Sequence, residues 1–230
     1  MMNMERQEIT FLVLLDLSAA FDTVQHQKLL NILQHNFNIS GTCLRWMESY
    51  LTGRHQKILI NNILSNSFPL TYGVPQGSCL GPIVFTLYTC FLAEITGKYN
   101  TSIGCYADDT QIYIATKPNI KSIHTSINEI ENCIGDIRSF LLTHYEKLND
   151  SKTEFLLLGT RQQLNKVGPI SLNVGSTQIF PSTEAKNLGF IFDSQLTFKK
   201  QINNITKKSF VQLRRIKQLR KYLWRDSTVD

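Results

Sequence analysis

Apolar positions along the chain fall into short runs of distinct period. Residues 10–16, Thr-Phe-Leu-Val-Leu-Leu-Asp, form an apolar run closed by an acid. Its length fits a strand buried on both faces. Residues 101–114 alternate instead. Ile103 and Cys105 are spaced by Ser102, Gly104 and Tyr106, and beyond Asp108 and Asp109 the residues Ile112 and Ile114 are spaced by Gln111 and Tyr113. Period two on both sides of a tight break predicts a β-hairpin. The longest pattern is helical. Ile120, Ile123, Ile127, Ile130, Ile134, Ile137 and Leu141 recur at three and four, which predicts an amphipathic helix of about twenty residues packed on the sheet.

Shorter signals fill the intervals. Asp22-Thr23-Val24-Gln25 predicts a capping box opening a helix that buries Leu29, Leu30, Ile32 and Leu33. A second helix is predicted from Ser40, burying Leu44, Met47 and Leu51 and ending at Gly53. Residues 56–60 and 68–72 read as strands, with Asn61-Asn62 as a turn. Pro82 suits the first position of an apolar helix running to Leu92. Residues 152–158 read as a strand ended by Gly159, and 170–174 with 177–180 as a hairpin about Gly175-Ser176. Residues 187–192 read as a short strand, and a basic helix follows from Leu196.

At 230 residues, with 42% hydrophobic and 18% charged content, the chain can bury one good-sized core. Five cysteines without a Cys-x-x-Cys pair argue against a zinc site or a disulfide framework, and predict a reducing, intracellular setting. The apolar run near the N-terminus is too short for a signal peptide or a membrane span. The net charge of +6 is uneven. Residues 199–225 hold ten Lys and Arg and no acid, which leaves residues 1–198 with 14 basic and 16 acidic groups. Two readings of that basic tail stand, a phosphate-binding surface and a solvated helix face.

The candidate chemistry lies at the breaks. A two-residue hairpin turn usually needs glycine or asparagine for positive φ, yet Ala107, Asp108 and Asp109 occupy this one. Two adjacent carboxylates repel each other unless a cation accompanies them. Oxygen ligands of this kind suit Mg²⁺. Asp16, at the end of a buried strand, would be held rigidly, as a metal ligand must be. The bland alternatives are a solvated acidic turn and an aspartate that opens a turn. Residues 73–82, Gly-Val-Pro-Gln-Gly-Ser-Cys-Leu-Gly-Pro, carry three glycines and two prolines. The glycines allow backbone to approach something as large as a base pair, and Gln76 adds a donor and an acceptor.

Taken together these stretches resemble the reverse transcriptase of non-LTR, LINE-type (jockey-like) retrotransposons. Residues 14–24, Leu-Leu-Asp-Leu-Ser-Ala-Ala-Phe-Asp-Thr-Val, resemble the first catalytic motif and residues 73–82 the second. Tyr106-Ala107-Asp108-Asp109 resembles the third, Lys152-Thr153-Glu154 the fourth, and residues 187–192, with Leu188 and Gly189, the primer grip. The resemblance implies an α+β polymerase palm, an antiparallel sheet backed by helices, over residues 1–195, and a basic helical start of a thumb over 196–230. It implies transfer of dNTPs onto a primer 3′-hydroxyl along an RNA template, with two Mg²⁺ ions held by Asp16, Asp108, Asp109 and the Leu17 carbonyl.

By the same resemblance, Phe21 lies under the incoming sugar, Gln76 and Gly77 lie near the nascent base pair, and Lys152 is a candidate general acid. Phe21 as core packing and Lys152 as a solvated lysine remain the alternatives. Lys207, Lys208, Arg214 and Arg215 would meet nucleic acid. With fifteen residues ahead of Asp16, the fingers are expected to be largely missing, and fingers or endonuclease segments belong to a longer relative. Gln25 departs from the acid usual at its position. An inactive nucleic-acid-binding remnant is the alternative function, and a metal-dependent nuclease or phosphatase ranks lower because it leaves residues 73–82 without a role.

Overall fold

The computed structural model describes residues 6–222. The residues on either side, including Arg225, Asp226 and Asp230 of the charge count and the end of the expected thumb segment, lie outside the described residues. The chain begins with β1 (Ile9–Leu15) and β2 (Leu17–Ser18), followed by helices α1 (Ala20–Thr23), α2 (His26–His35) and α3 (Gly41–Leu51). Four short strands follow, β3 (His55–Gln56), β4 (Leu59–Ile60), β5 (Ile63–Leu64) and β6 (Phe68–Pro69). Helices α4 (Gly81–Tyr88) and α5 (Leu92–Thr96) lead to β7 (Ser102–Tyr106), β8 (Asp109–Thr116) and the long α6 (Ile120–Thr143). Then come β9 (Lys147–Leu148), β10 (Glu154–Leu158), α7 (Arg161–Leu164), β11 (Leu172–Val174), β12 (Thr177–Ile179), β13 (Glu184–Asn187), β14 (Phe190–Asp193) and α8 (Lys199–Leu219). Among the described residues no helix is long and apolar enough to cross a membrane.

The main sheet is antiparallel, in the order β10-β1-β8-β7. The apolar run at residues 10–15 becomes its central strand, as its continuity predicted. Ile9, Phe11, Val13 and Leu15 join one core with Ile112, Ile114, Phe155 and the Ile130, Ile134, Ile137 and Leu141 stripe of α6. Phe11 and Phe155 meet edge-on, with centroids 5.6 Å apart. Such a buried aromatic contributes about 1.5–3 kcal/mol through its removal from water. The even positions Leu12 and Leu14 face the other way, against Leu156, Ala185 and Phe192. The sheet is thus backed by helices on one face and only partly covered on the other.

Several expectations fail for identifiable reasons. No capping box forms at Asp22. The Asp22 carboxylate instead accepts from Gln76 Nε2 at 2.9 Å, and α2 starts at His26 with Gln25 as an uncapped, extended N-cap. The predicted strand at 56–60 splits into β3 and β4, which pair with different partners, while Asn61 and Asn62 do form the turn with φ of +50° and +64°. The apolar segment 83–92 breaks after Tyr88, where the Thr89 hydroxyl donates to the Phe85 carbonyl. Ile120, counted in the α6 stripe, is 76% exposed. Lys152 lies in a single 3₁₀ turn, Asp150–Lys152, ahead of β10. The segment read as one strand at 187–192 is a hairpin, with Leu188 (φ +48°) and Gly189 (φ +79°) at its tip. The short α7 was not anticipated, although Thr160 and Gln163 form a capping box at its start.

Candidate active site

Asp16 stands where the chain changes sheets. β1 ends at Leu15, and two residues later β2 pairs with β9 instead of β10. The Asp16 carbonyl accepts from Asn149 N at 2.8 Å, which fixes this corner. The β1–β8 ladder pairs Leu14 with Gln111 and Leu15 with Thr110. Asp16 and Asp109 follow where that ladder ends, and both line one cleft. Alternate residues along a strand share a face. Asp16, Asp109 and Gln111 therefore stand with Leu12 and Leu14 on the face away from α6.

The hairpin that carries the acids is as tight as its sequence required. Tyr106 pairs with Asp109, leaving Ala107 and Asp108 as the turn, and Ala107 takes φ of +55°. An L-residue with a Cβ at positive φ costs roughly 1–2 kcal/mol. A strained alanine beside two acids fits a turn shaped by its chemistry.

Asp16 and Asp109 open onto a cleft of about 400 Å³ that Lys152, Glu154, Lys186 and Asn187 also line. Lys152 Nζ is 3.7 Å from Asp16 Oδ2. The turn holding Lys152 is tied to α6 by Arg138, whose Nη2 lies 2.5 Å from Asp150 Oδ1 in a largely buried pair. Burial raises the Asp109 pKa above the usual carboxylate range, and the negative charges of Asp108 and Asp16 push it the same way. The three acids thus feel one another, and a cation would relieve that repulsion. Asp108 itself is on the turn, outside the cleft lining. Glu154 and Lys186 were not among the expected site residues. Register explains Glu154, which faces Leu14 across the β1–β10 ladder, but Lys186 reaches the cleft only through the fold-back of β13, which nothing local announces.

Among the described residues no three His, Cys, Asp or Glu side chains group tightly enough to hold a metal by themselves. Two neighbouring carboxylates on an open cleft nonetheless suit Mg²⁺, which is bound through one or two carboxylates and takes waters and substrate phosphates for the rest. The donor set therefore suits a hard divalent cation, as an open site and not as a closed cage.

A second cleft, of about 490 Å³, is lined by Phe21, Gln76 and Gly77 with Pro75, Ser78 and Pro82. The sequence placed these residues 55 positions apart and the fold joins them by backbone. Gly73 N donates to Val24 O and Val74 N to Phe21 O, each at 2.8 Å. Gly73 has φ of +87°, and a Cβ there would lie 3.0 Å from the Asp22 carbonyl. Phe21 packs on Phe85 at 5.0 Å while one side remains open to the cleft. Leu188 and Gly189, at the β13–β14 tip, are anchored to the main sheet by Asn187 Nδ2 donating to Gln111 Oε1 at 3.0 Å. Lys207, Lys208, Arg214 and Arg215 are exposed along α8, remote in sequence from the acids. The structure thus gathers Asp16, Asp109 and Lys152 in one cleft and Phe21, Gln76 and Gly77 in another.

An antiparallel sheet with acids at the ends of its two central strands, backed by helices, is the palm of a nucleotide polymerase. The chain belongs to the reverse transcriptase (RNA-dependent DNA polymerase) family, whose profile matches residues 2–192. It is 27% identical over 222 residues to the probable RNA-directed DNA polymerase from transposon BS of Drosophila melanogaster, covering 94% of this chain and 23% of that protein. It is also 27% identical over 210 residues to the RNA-directed DNA polymerase from mobile element jockey of the same species, covering 88% and 22%. In fold it is similar to telomerase from Candida albicans, solved in complex with the TWJ fragment of telomeric RNA. That match has a TM-score of 0.54 and 11% identity, over 82% of this chain and 30% of that one. The chain spans less than a quarter of the length of these curated relatives.

Proposed function

We propose that this chain is the palm of an RNA-directed DNA polymerase, with residues 196–230 as the start of a thumb. In the reaction a primer 3′-hydroxyl attacks the α-phosphate of a dNTP paired to an RNA template, and pyrophosphate leaves. The observation that carries this is the convergence of Asp16 and Asp109 at the end of the β1–β8 ladder, with Lys152 3.7 Å from Asp16.

Asp16, Asp109 and Asp108, with the Leu17 carbonyl, would hold two Mg²⁺ ions, which when bound activate the attacking hydroxyl and neutralise phosphate charge. Lys152, one salt-bridge length from Asp16, holds a proton that it can give to the departing pyrophosphate. Phe21 is braced against Phe85, so it stands firm under the sugar and disfavours a 2′-hydroxyl by clash. Gln76 and Gly77 flank the base. The Leu188-Gly189 tip, pinned through Asn187, steadies the primer end. The exposed Lys207, Lys208, Arg214 and Arg215 supply sequence-independent binding to phosphates.

The test is extension of a primed RNA by the purified chain with dNTPs and Mg²⁺. Extension is expected from the intact chain and none from Asp16→Ala or Asp108→Ala. Extension that survives both changes refutes the mechanism. A chain that binds primed RNA without extending it supports the inactive, nucleic-acid-binding reading.

A further inference from the structure

One groove of the molecule enters the mechanism above only through Gln76. It runs beside residues 69–76, has a volume of about 570 Å³, and includes Arg54, Tyr72 and Gln76 in its lining. A second hollow of about 540 Å³ continues it along Arg54, His55 and Tyr72. Among the described residues Asp22 is the one acid lining either hollow, and its carboxylate already accepts from Gln76. Arg54 has no carboxylate partner among the described residues. Its Nε donates to the Tyr50 carbonyl at 2.6 Å and its guanidinium sits 5.1 Å from the Tyr50 ring centroid. Tyr50 in turn stacks with Trp46, 6.0 Å away and nearly parallel, and its hydroxyl is 2.7 Å from Ser78 Oγ. Trp46 and Tyr72 remain 56% and 48% exposed.

This is an oriented cation held against the Tyr50 ring, in a groove that the exposed Tyr72 also lines and that Tyr50 joins by a hydrogen bond to the loop carrying Gln76. Aromatic faces and a basic groove are what an unpaired strand needs, because every base offers a π-face and every nucleotide a phosphate. Pro75 and Gln76 line both this groove and the Phe21 cleft, so the two sites adjoin at these residues. We infer that the Arg54–Tyr72 groove receives the unpaired template RNA next to the pairing position, with a base stacked on Tyr72 and a phosphate on Arg54. The inference rests on the polymerase reading and extends it to the path of the template.

The test uses fluorescence anisotropy without dNTPs or divalent ions. A DNA primer on an RNA template with a long unpaired 5′ overhang is compared with the same duplex made blunt. The intact chain is expected to prefer the overhang by about 5- to 150-fold, the range set by one stacked base. Tyr72→Ala is expected to cut that preference by about 5-fold or more and Tyr72→Phe to keep it. Arg54→Gln lowers the salt slope by about 0.7, the value for one single-strand phosphate. Melting curves establish that each variant is folded, and should Tyr72→Ala unfold, Tyr72→Leu removes the ring with most of its volume kept. Equal affinity for the two duplexes, or a preference undiminished by loss of the ring, overturns the inference. Extension with no overhang preference refutes the groove alone, whereas overhang preference with no extension refutes the catalytic reading alone.

Discussion

Glu146 offers a prediction whose sign and size follow from its surroundings. It lies between α6 and β9, is 1% exposed, and among the described residues neither carboxylate oxygen has a hydrogen-bond partner. The Thr23 hydroxyl is near enough to temper the effect, but its hydrogen bonds go to the Ala19 and Ala20 carbonyls. Burial therefore dominates and pushes the pKa from 4.5 up to about 7. The folded protein keeps the proton while the unfolded chain releases it above pH 4.5. Stability is fully present below that value and is lost as pH rises toward 7, after which the contribution stays flat. Over that interval of about two and a half pH units, each worth about 1.4 kcal/mol, the loss is about 3 kcal/mol. Glu146→Gln preserves the volume and cannot ionise. For a chain of this size 1 kcal/mol shifts Tm by about 2–4 °C, so the Tm of the variant relative to the parent should climb by about 6–12 °C between pH 4.5 and 7. Thermal scans by circular dichroism in matched buffers measure this, and other titrating groups cancel because both proteins share them. Two Tm curves that run parallel across the interval refute the argument.

Other outcomes follow from single interactions. Gly73→Ala forces a Cβ to 3.0 Å from the Asp22 carbonyl at φ of +87°; it should cost about 1–3 kcal/mol and depress extension, and an unchanged Tm would count against the strap between residues 21–24 and 73–74. Arg138→Ala frees the turn that carries Lys152; a loss of about 1.5–3 kcal/mol with slower extension is expected, and full activity would show that the turn holds its place without the Arg138–Asp150 pair. Neutralising Lys207, Lys208, Arg214 and Arg215 together should weaken RNA binding and flatten its salt dependence by about 0.7 in slope for each phosphate no longer neutralised; binding curves at several salt concentrations that superimpose with those of the parent would remove α8 from the interface. Asp16→Asn should lower the Asp109 pKa by removing one of the charges that raise it, and carboxylate NMR titration that finds no change would separate the two side chains.

Local sequence determined most of the elements. The unbroken run at 10–15 became an inner strand of the sheet, and the alternation about Asp108 became the β7–β8 hairpin with its two-residue turn. The three-and-four spacing after Asn119 became α6, because each pattern matches the period of one backbone geometry. The family motifs were legible for the same reason, being short and contiguous. What was not legible depended on partners distant in the chain. Asp22 abandons a helix cap because Gln76 binds it, and β13 folds back to bring Lys186 into the cleft. Lys152 meets Asp16 through a turn tied to the Asp16 carbonyl by Asn149 and to α6 by Arg138, and Asp109 shares a cleft with Asp16 through the register of β1 on β8. Each of these requires a specific distance between residues tens of positions apart, and only packing of the whole chain fixes such distances.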